Sequence, residues 1–243
     1  MLNRDRIVSQ LNSPYTVTVA AEISSTNTAL KEMAAAGAPL GTTLIAARQT
    51  GGRGRLGRQF HSPEGGLYLS TLVSPVDAVT CRAAVAAARA IESLCAASID
   101  VKWVNDLYVN GRKVAGILAE GVFAPDGTLA AVVLGIGINV GETAFPADLQ
   151  SIATSLGNEG YCLAREDVAV AFLNALPTAL TDSAAMAEYR RRNLVVGRQV
   201  TVWQGNITYT ATAEFITDDG HLTVRTADGQ VHTLSSGEVS VRL

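Results

Sequence analysis

The pair Asn110-Gly111, set between two apolar stretches, constrains the fold of this chain more than any other local feature. Asn-Gly is the preferred pair for a two-residue type I′ turn, because both central residues of that turn take positive φ. The flanking stretches 107–109 and 112–118 are therefore expected to pair as an antiparallel hairpin. A sheet built around this hairpin is mixed or antiparallel, and not all-parallel.

Hydrophobic periodicity predicts the other elements of the first 192 residues. Helices are expected where apolar residues recur every three or four positions, and strands where short apolar or alternating runs lie between turn residues. Pro177 is expected to end or kink the helix that begins at Glu166, since proline removes a backbone donor. The predicted helices are 28–36, 79–97, 166–180 and 184–192, and the predicted strands include 17–23, 41–47, 67–73, 99–104 and 128–140.

The pattern changes near Gly197, where short alternating strands separated by turn residues replace the mixture of helices and strands. Roughly fifty residues of this kind imply a small antiparallel barrel. We therefore divide the chain into residues 1–192 and residues 193–243. The predicted fold class is α+β, with a mixed or antiparallel sheet and flanking helices, followed by a small C-terminal β-barrel.

Composition limits the classes of function that the chain can serve. Its 243 residues are 48% hydrophobic and 17% charged, and the formal net charge is −3. Such a chain can bury a core, but its acidic balance makes it a poor candidate for DNA binding. Three cysteines without a C-x-x-C pair favour a reducing, cytoplasmic compartment over a disulfide framework or a zinc site. We recognise no signal peptide and no apolar run of membrane-span length.

Residues 51–58 place four glycines and three arginines in eight positions. Glycine lets the backbone approach a ligand closely. Arginine supplies a charged fork that matches carboxylate and phosphate oxygens. The stretch indicates a loop that wraps a small anionic ligand, and the alternative is a flexible basic surface loop.

Two further segments place polar residues beside predicted core strands. Residues 24–27, Ser-Ser-Thr-Asn, stand at a strand-to-helix junction and suit either a neutral polar ligand or plain N-capping. Lys102 and Lys113 lie in or beside apolar strands, where an unpaired charge is costly unless the side chain extends to solvent. Asp106 could bind Mg²⁺ through a carboxylate oxygen or serve as a turn residue.

Five segments stand in a distinctive order along the chain. They are Ser25-Thr26-Asn27, Gln49 with Gly-Arg-Gly-Arg-Leu-Gly-Arg at 52–58, Lys-Trp-Val-Asn-Asp-Leu-Tyr at 102–108, Arg-Lys-Val-Ala-Gly-Ile-Leu at 112–118, and Gly-Ile-Gly-Ile-Asn at 135–139. In this order they resemble the motif series of the biotin protein ligases, over almost the whole chain. The resemblance implies a catalytic domain like that of class II aminoacyl-tRNA synthetases and an SH3-like C-terminal barrel. It also implies the monofunctional type, without the DNA-binding domain of the members that act as repressors.

The resemblance implies a two-step reaction. The carboxylate of biotin attacks the α-phosphate of ATP and forms biotinyl-5′-adenylate and pyrophosphate. A lysine of a biotin carboxyl carrier protein domain, in acetyl-CoA carboxylase or a related carboxylase, then takes the biotinyl group and releases AMP. Because the first step joins two anions, fixed cations and Mg²⁺ are expected to offset their repulsion. We expect no DNA or membrane partner, and a monomer or a homodimer.

The resemblance also implies a role for each site residue, carried over by position. Lys113 is the first choice for the central catalytic cation, and Arg55, Lys102 and Asp106 are further catalytic residues, with Asp106 also a metal ligand. The implied biotin-binding residues are Ser25, Thr26, Asn27, Gln49, Arg53, Gly54, Arg55, Lys113 and Gly116. The implied ATP- and adenylate-binding residues are Gly52, Arg55, Arg58, Phe60, Asn105 and Asn139.

Two positions depart from the family pattern. Val104 stands where the family commonly has proline, which should relax the local turn slightly, and Phe60 stands where it often has a tryptophan that stacks on adenine. Two other interpretations remain: a lipoate ligase or octanoyl transferase of the same fold, and a binding module without catalysis. The Gly-Arg-Gly-Arg loop and the Lys-Trp-Val-Asn-Asp run argue against the first, and Arg55 with Lys113 argues against the second.

Overall fold

The chain forms two sheets, in a computed structural model that describes residues 2–204, 207–235 and 238–240. The helices are α1 (Arg4–Val8), α2 (Thr26–Ala35), α3 (Val79–Leu94), α4 (Arg165–Thr181) and α5 (Ala185–Arg192). The strands of the first sheet are β1 (Thr16–Ala20), β2 (Thr42–Ala46), β3 (Leu67–Val73), β4 (Asp100–Lys102), β5 (Asp106–Val109), β6 (Arg112–Phe123) and β7 (Leu129–Ile138). Those of the second sheet are β8 (Gln199–Gln204), β9 (Ile207–Ile216), β10 (Leu222–Thr226), β11 (Val231–Leu234) and β12 (Glu238–Ser240). The alternating pattern after Gly197 also predicts turns at 204–206 and 236–237 and a last strand at 238–241, and of these residues 205–206, 236–237 and 241 lie outside the described residues.

The first sheet has the strand order β1-β2-β3-β7-β6-β5-β4. Strands β1 and β2 are parallel, and the other neighbouring strands are antiparallel. The hairpin between β5 and β6 forms as predicted, with φ of 49° at Asn110 and 75° at Gly111. The prediction of a mixed or antiparallel sheet with flanking helices is therefore confirmed.

Helices cover this sheet on both faces. Alternation along β7 sends Leu134 and Ile136 to the face on which α3 and α4 pack, and Val133 and Gly135 to the opposite face, where α2 packs. The α3–α4 side belongs to a large continuous apolar core. The α2 side has only a small apolar cluster around Leu30, and polar residues occupy much of the rest of that face.

Helix α4 runs through Pro177 to Thr181, so the prediction that it ends at the proline is wrong, while a kink there stays a prediction. Proline has no N–H, and the carbonyl four residues earlier, that of Leu173, therefore loses its helical donor. The hydroxyl of Tyr15 donates to Leu173 O at 3.0 Å and replaces that donor.

Among the described residues no single helix has the length and apolar character of a membrane span. The consecutive helices α4 and α5, which are bent by 113° relative to each other, reach that length and apolar composition only when they are taken together.

The second sheet is antiparallel, with the order β11-β10-β9-β8-β12, and confirms a small all-β unit after α5. Its edge strands β11 and β12 do not pair with each other within the described ranges, so closure into a barrel and a boundary at residue 193 stay predictions.

The two units meet at Gly220, whose carbonyl accepts a hydrogen bond from Trp103 Nε1 at 2.9 Å. Gly220 has φ of 84°, and a Cβ at this position would lie 2.9 Å from Cys81 Sγ, so this contact requires glycine.

Candidate active site

A cavity of ≈ 170 Å³ opens on the α2 face of the first sheet. It is bounded by the start of α2, the segment 49–60, and the strands β5, β6 and β7. Every site residue predicted from the sequence lines this cavity, except Gly52 and Asn139. The lining residues that the sequence motifs did not single out as site residues are Leu56, Gln59, Trp103, Ile117, Leu118, Gly135, Ile136, Gly137 and Val239.

One end of the cavity carries uncharged hydrogen-bonding groups. Ser25 is the N-cap of α2, and its side chain accepts from Thr28 N at 3.4 Å, so it both caps the helix and lines the cavity. Gln49 Oε1 accepts from Thr26 N at 2.8 Å, and Gln49 Nε2 donates to Ser62 Oγ at 3.1 Å. These contacts fix the amide and hydroxyl groups that face this end. The two interpretations of the Ser-Thr-Asn segment, capping and ligand contact, are therefore compatible.

Asn27 joins this neutral end to the sheet. Its Nδ2 donates to Leu118 O at 3.2 Å and to Glu120 Oε2 at 2.9 Å, and its Oδ1 lies 2.6 Å from Ser70 Oγ. A Cβ on Gly135 would lie 2.0 Å from that Oδ1. Glycine is therefore required at position 135, which confirms that a glycine in this strand marks the close approach of another group.

Two facing glycines form the floor of the cavity beneath Phe60. Gly116 and Gly137 are register partners on β6 and β7, and we call them the glycine floor. A Cβ on Gly137 would lie 2.5 Å from Phe60 Cε1, and one on Gly116 would lie 3.1 Å from Phe60 Cε2. The ring also meets Tyr68 edge-on at 6.4 Å between centroids, and Lys113 Nζ stands 5.7 Å from its centroid. Phe60 therefore lies flat against the sheet with an aromatic face near a cation.

The Gly/Arg loop is a compact hairpin. Arg53 and Gln59 form an antiparallel bridge, and Gly54 N donates to Arg58 O at 2.7 Å across the turn. Leu56 at its tip has φ of 56° and is 71% exposed. The loop thus has a defined backbone, and its residues 53–56 and 58–60 line the cavity. This arrangement favours the predicted anion-wrapping loop over a detached surface loop.

Gly52 packs at the base of that hairpin and is not part of the lining. A Cβ on Gly52 would lie 2.4 Å from Phe60 O and 2.3 Å from Ser62 Oγ. The carbonyl of Gly52 belongs to the same hairpin, since Phe60 N donates to Gly52 O at 3.0 Å. Packing therefore requires glycine at position 52, and a contact of Gly52 with the adenylate stays a prediction.

Glu120, which lies outside the cavity lining, pairs with two cationic side chains. Its Oε1 lies 3.2 Å from Lys31 Nζ and 3.3 Å from Arg53 Nη1, and its side chain is only 15% exposed. Burial by itself raises the pKa of Glu120, but hydrogen bonds from Asn27 and Lys31 and the charge of Arg53 outweigh it, so the pKa lies below its usual value. Glu120 is therefore an ionised acceptor that the sequence analysis did not assign.

Lys113 and Asp106 form a charge contact on the wall of the cavity. Lys113 Nζ lies 2.7 Å from Asp106 Oδ1. At this distance the ammonium and the carboxylate form a close ion pair, and Asp106 Oδ1 is itself buried. The backbone of Lys113 is fixed from outside, since Lys113 N donates to Ile152 O at 2.9 Å and Thr154 N donates to Lys113 O at 2.8 Å.

The two predicted asparagines differ in placement. Asn105 lines the cavity, where its Oδ1 accepts from Arg55 Nη1 at 3.4 Å and its Nδ2 donates to Ile117 O at 2.9 Å. Asn139 is buried outside the lining, and its Nδ2 donates to Thr154 O at 2.9 Å. Asn139 therefore holds the 152–154 segment that fixes Lys113, and its predicted place in the adenine region stays a prediction.

The second sheet also reaches the cavity. Val239 on β12 is part of the lining, and Trp103, which binds Gly220, lines the same cavity. The peptide bond between Trp103 and Val104 is cis, and Tyr189 Oη donates to Val104 O at 3.0 Å. The C-terminal unit thus completes one wall, a role that the sequence pattern did not reveal.

Two family models match the chain. Residues 19–139 match the model described as "Biotin/lipoate A/B protein ligase family". Residues 195–242 match the model described as "Biotin protein ligase C terminal domain". The two matches include the five motifs before residue 140 and the second sheet.

Known proteins resemble the chain over its full length or over part of it. The Bifunctional ligase/repressor BirA of Bacillus spizizenii is 42% identical over 143 residues, which cover 55% of this chain and only 44% of that protein. The Biotin–[acetyl-CoA-carboxylase] ligase of Mycobacterium tuberculosis is 33% identical over 255 residues, which cover 97% of this chain and 92% of that protein. The structure of a biotin protein ligase from Aquifex aeolicus in complex with biotin and ATP has a TM-score of 0.79 at 29% identity, and the match covers 93% of this chain and 98% of that one.

Proposed function

The chain belongs to the biotin/lipoate A/B protein ligase family, and on this premise we propose that it is a biotin protein ligase. It activates biotin with ATP to biotinyl-5′-adenylate and transfers the biotinyl group to a lysine of a carrier domain. The carrier that we propose is a biotin carboxyl carrier domain of acetyl-CoA carboxylase or a related carboxylase. The proposal includes no DNA partner, a monomer or homodimer, and the cytoplasm as compartment.

The observation that carries this proposal is the division of the cavity into a neutral end and a cationic side. Thr26, Asn27 and Gln49 offer hydrogen bonds without charge at one end, while Lys113 beside Asp106 and Arg55 beside Asn105 supply positive charge elsewhere in the lining. Biotin has the same division, because its cyclic urea is neutral and its chain ends in a carboxylate. A charged pocket throughout would not suit the urea, and a neutral one would not hold a carboxylate next to a phosphate.

The first step needs charge stabilisation and alignment. A carboxylate oxygen of biotin forms a bond to the α-phosphorus, and the bond from that phosphorus to the pyrophosphate oxygen breaks. Lys113 and the loop arginines Arg53 and Arg55 line the cavity and are placed to stabilise the added negative charge. The hairpin over the cavity also limits the access of water to the acyl-adenylate, which water would hydrolyse.

The second step needs a proton acceptor. The amine of the carrier lysine attacks the acyl carbonyl, the bond to the AMP oxygen breaks, and the amine loses a proton. Asp106 is our candidate for that acceptor, because its carboxylate is part of the cavity lining. Lys113, 2.7 Å away, keeps the carboxylate directed at the cavity.

We propose that Mg²⁺ binds together with the triphosphate of ATP. Over the described ranges, no three His, Cys, Asp or Glu side chains come together to hold a metal ion. Mg²⁺ at nucleotide sites is commonly held by one or two carboxylates and by substrate phosphates, and the Asp106 carboxylate, which is part of the cavity lining, offers one such ligand. When bound there, the ion would neutralise phosphate charge. The residues therefore fit an ion that arrives with ATP.

Transfer to a carrier tests the proposal. The purified chain is incubated with ATP, Mg²⁺, a biotin carboxyl carrier domain and either radiolabelled biotin or radiolabelled lipoate. We expect label on the carrier with biotin and none with lipoate, and none on a matched carrier whose acceptor lysine is replaced by arginine. Label from lipoate alone would favour the lipoate ligase interpretation, and no label from either would favour a binding module.

A further inference from the structure

Ser70 and Glu120 contact the neutral end of the cavity from behind. Ser70 lies on β3, is fully buried, and is not part of the lining. Its Oγ lies 2.7 Å from Thr26 Oγ1 and 2.6 Å from Asn27 Oδ1. Glu120 on β6 also lies outside the lining and accepts from Asn27 Nδ2 at 2.9 Å. Two residues of the lining are thus held by two residues that do not reach the cavity.

The orientation of the Asn27 amide follows from its partners. One end of that amide faces Leu118 O and the ionised Glu120 carboxylate, which both can only accept. The NH₂ group therefore points to Leu118 and Glu120, and the carbonyl oxygen points to Ser70. Both amide protons are used, and Asn27 Oδ1 requires a donor from the other side.

The direction of the hydroxyl protons then follows by counting. Ser70 has one proton and two short oxygen contacts, and Asn27 Oδ1 cannot donate, so Ser70 donates to Asn27. In the 2.7 Å contact between Ser70 and Thr26, the Thr26 hydroxyl must therefore be the donor. Thr26 Oγ1 also lies 3.1 Å from Gln49 Oε1, but the two hydroxyl protons can serve only two of these three contacts, and the contacts of 2.6 Å and 2.7 Å are the shorter ones. Gln49 Oε1 still accepts from Thr26 N at 2.8 Å. The Thr26 hydroxyl proton points into the protein, and its remaining lone pair is left for a ligand.

We infer that Ser70 and Glu120 are positioning residues that make the Thr26 hydroxyl a hydrogen-bond acceptor toward a neutral ligand that carries N–H donors, such as a cyclic urea. The inference rests on the proposed function and adds to it the residues that set the polarity of the neutral end. Because this end does not touch the reacting carboxylate, these residues govern the binding of biotin and not the rate of the chemical step. They therefore act on KM for biotin and leave kcat unchanged.

Ser70→Ala tests the inference, with Thr71→Val as the matched control. Thr71 is the next residue on β3, is equally buried, and its Oγ1 pairs with Thr43 Oγ1 at 2.8 Å. Each variant loses one buried hydroxyl from the same strand, so both should lower the melting temperature. Only Ser70→Ala should weaken biotin binding, by about tenfold or more in Kd measured by titration calorimetry. Its KM for ATP and its kcat at saturating biotin should stay within about twofold of the wild-type values.

Glu120 supplies a second, independent arm. Glu120→Gln keeps an oxygen that can accept from Asn27 Nδ2, whereas Glu120→Leu removes every acceptor. We expect Glu120→Leu to raise the Kd for biotin about tenfold and Glu120→Gln to restore most of that loss. An equal effect of the two variants would show that charge, and not amide orientation, is the property that matters, and would overturn the role given to Glu120.

The outcomes separate this inference from the proposed function. Wild-type protein that binds no biotin would overturn the proposed function and the inference with it. Wild-type protein that binds biotin, together with Ser70→Ala binding within about twofold of it, would overturn the inference alone. The same holds if Thr71→Val weakens biotin binding as much as Ser70→Ala, because the effect would then be general destabilisation. Should Ser70→Ala fail to fold, the comparison of the two Glu120 variants decides.

Discussion

Lys113 Nζ lies 2.7 Å from Asp106 Oδ1 across the paired strands β5 and β6, on the wall of the cavity. The contact holds a cation in place where the proposed reaction brings a carboxylate and a phosphate together. It also holds the Asp106 carboxylate, our candidate proton acceptor, beside that cation. This pair is the part of the site on which the chemical step depends most directly.

Lys113→Ala is therefore expected to lower the rate of adenylate formation by about a hundredfold or more, the usual effect of losing one preorganised charge-stabilising group. The measurement is pyrophosphate release with saturating biotin and ATP. Arg225→Ala is the control for the loss of one positive charge, because Arg225 pairs with Glu214 in the second sheet, outside the cavity lining. Near-normal pyrophosphate release by Lys113→Ala, with the melting temperature unchanged, would remove Lys113 from the catalytic role.

Gly137→Ala is expected to destabilise the fold by about 1–3 kcal/mol, the usual range for overpacking. The added Cβ would lie 2.5 Å from Phe60 Cε1, so the ring must leave the glycine floor. Urea unfolding of Gly137→Ala, Phe60→Ala and the double variant measures the coupling. We expect the alanine at 137 to cost much less in the Phe60→Ala background. Equal losses of free energy in both backgrounds would show that Phe60 is not the neighbour that excludes a side chain.

Tyr15→Phe is expected to lower the free energy of unfolding by about 1 kcal/mol, because Leu173 O would lose the donor that replaces the missing N–H of Pro177. Pro177→Ala restores that N–H. The loss caused by Tyr15→Phe should therefore be smaller in the Pro177→Ala background. Urea unfolding of the four proteins checks this, and two independent, additive effects would contradict the account of how α4 continues through proline.

Acid should weaken the contact between α3 and α5. Glu188 accepts from Arg89 Nη2 at 2.7 Å and from Arg192 Nε at 2.9 Å. Burial by itself raises the pKa of Glu188, but these arginines outweigh it and hold the pKa below its ordinary value of 4.5. A carboxyl with a lowered folded pKa stabilises the fold above its unfolded pKa, and this contribution is lost as the pH falls through the folded pKa. Denaturation against pH should show a shallower fall below pH 4.5 for Glu188→Gln, and an unchanged slope would be evidence against the pair.

Local patterns predicted the features that local chemistry controls. The β5–β6 hairpin follows from Asn110-Gly111, because only the turn residues themselves need positive φ. The glycines of β7 indicated a close approach, and Gly135 and Gly137 indeed face Asn27 and Phe60. The site residues came together because five motifs carry them, and the fold brings those motifs to one face of the sheet.

Features that depend on distant partners could not be read from the sequence. The course of α4 depends on Tyr15, which is 158 residues from Leu173. The family resemblance assigned Asn139 to the adenine region, but only the structure shows that its amide also holds the segment at Thr154. Ser70 and Glu120 stand in ordinary strands, and only the structure shows that their oxygens meet Asn27.

The central claim is that this cavity joins biotin to AMP, and the most direct test is to detect the product. The purified chain is incubated with biotin, Mg²⁺ and ATP labelled at the α-phosphate, without a carrier, and the acid-released nucleotides are separated and weighed by mass spectrometry. We predict biotinyl-5′-adenylate at about one equivalent per chain, formed only when biotin is present and strongly reduced in Lys113→Ala. Labelled ATP left unchanged in the presence of biotin, or an adenylate formed with lipoate in its place, would contradict the account.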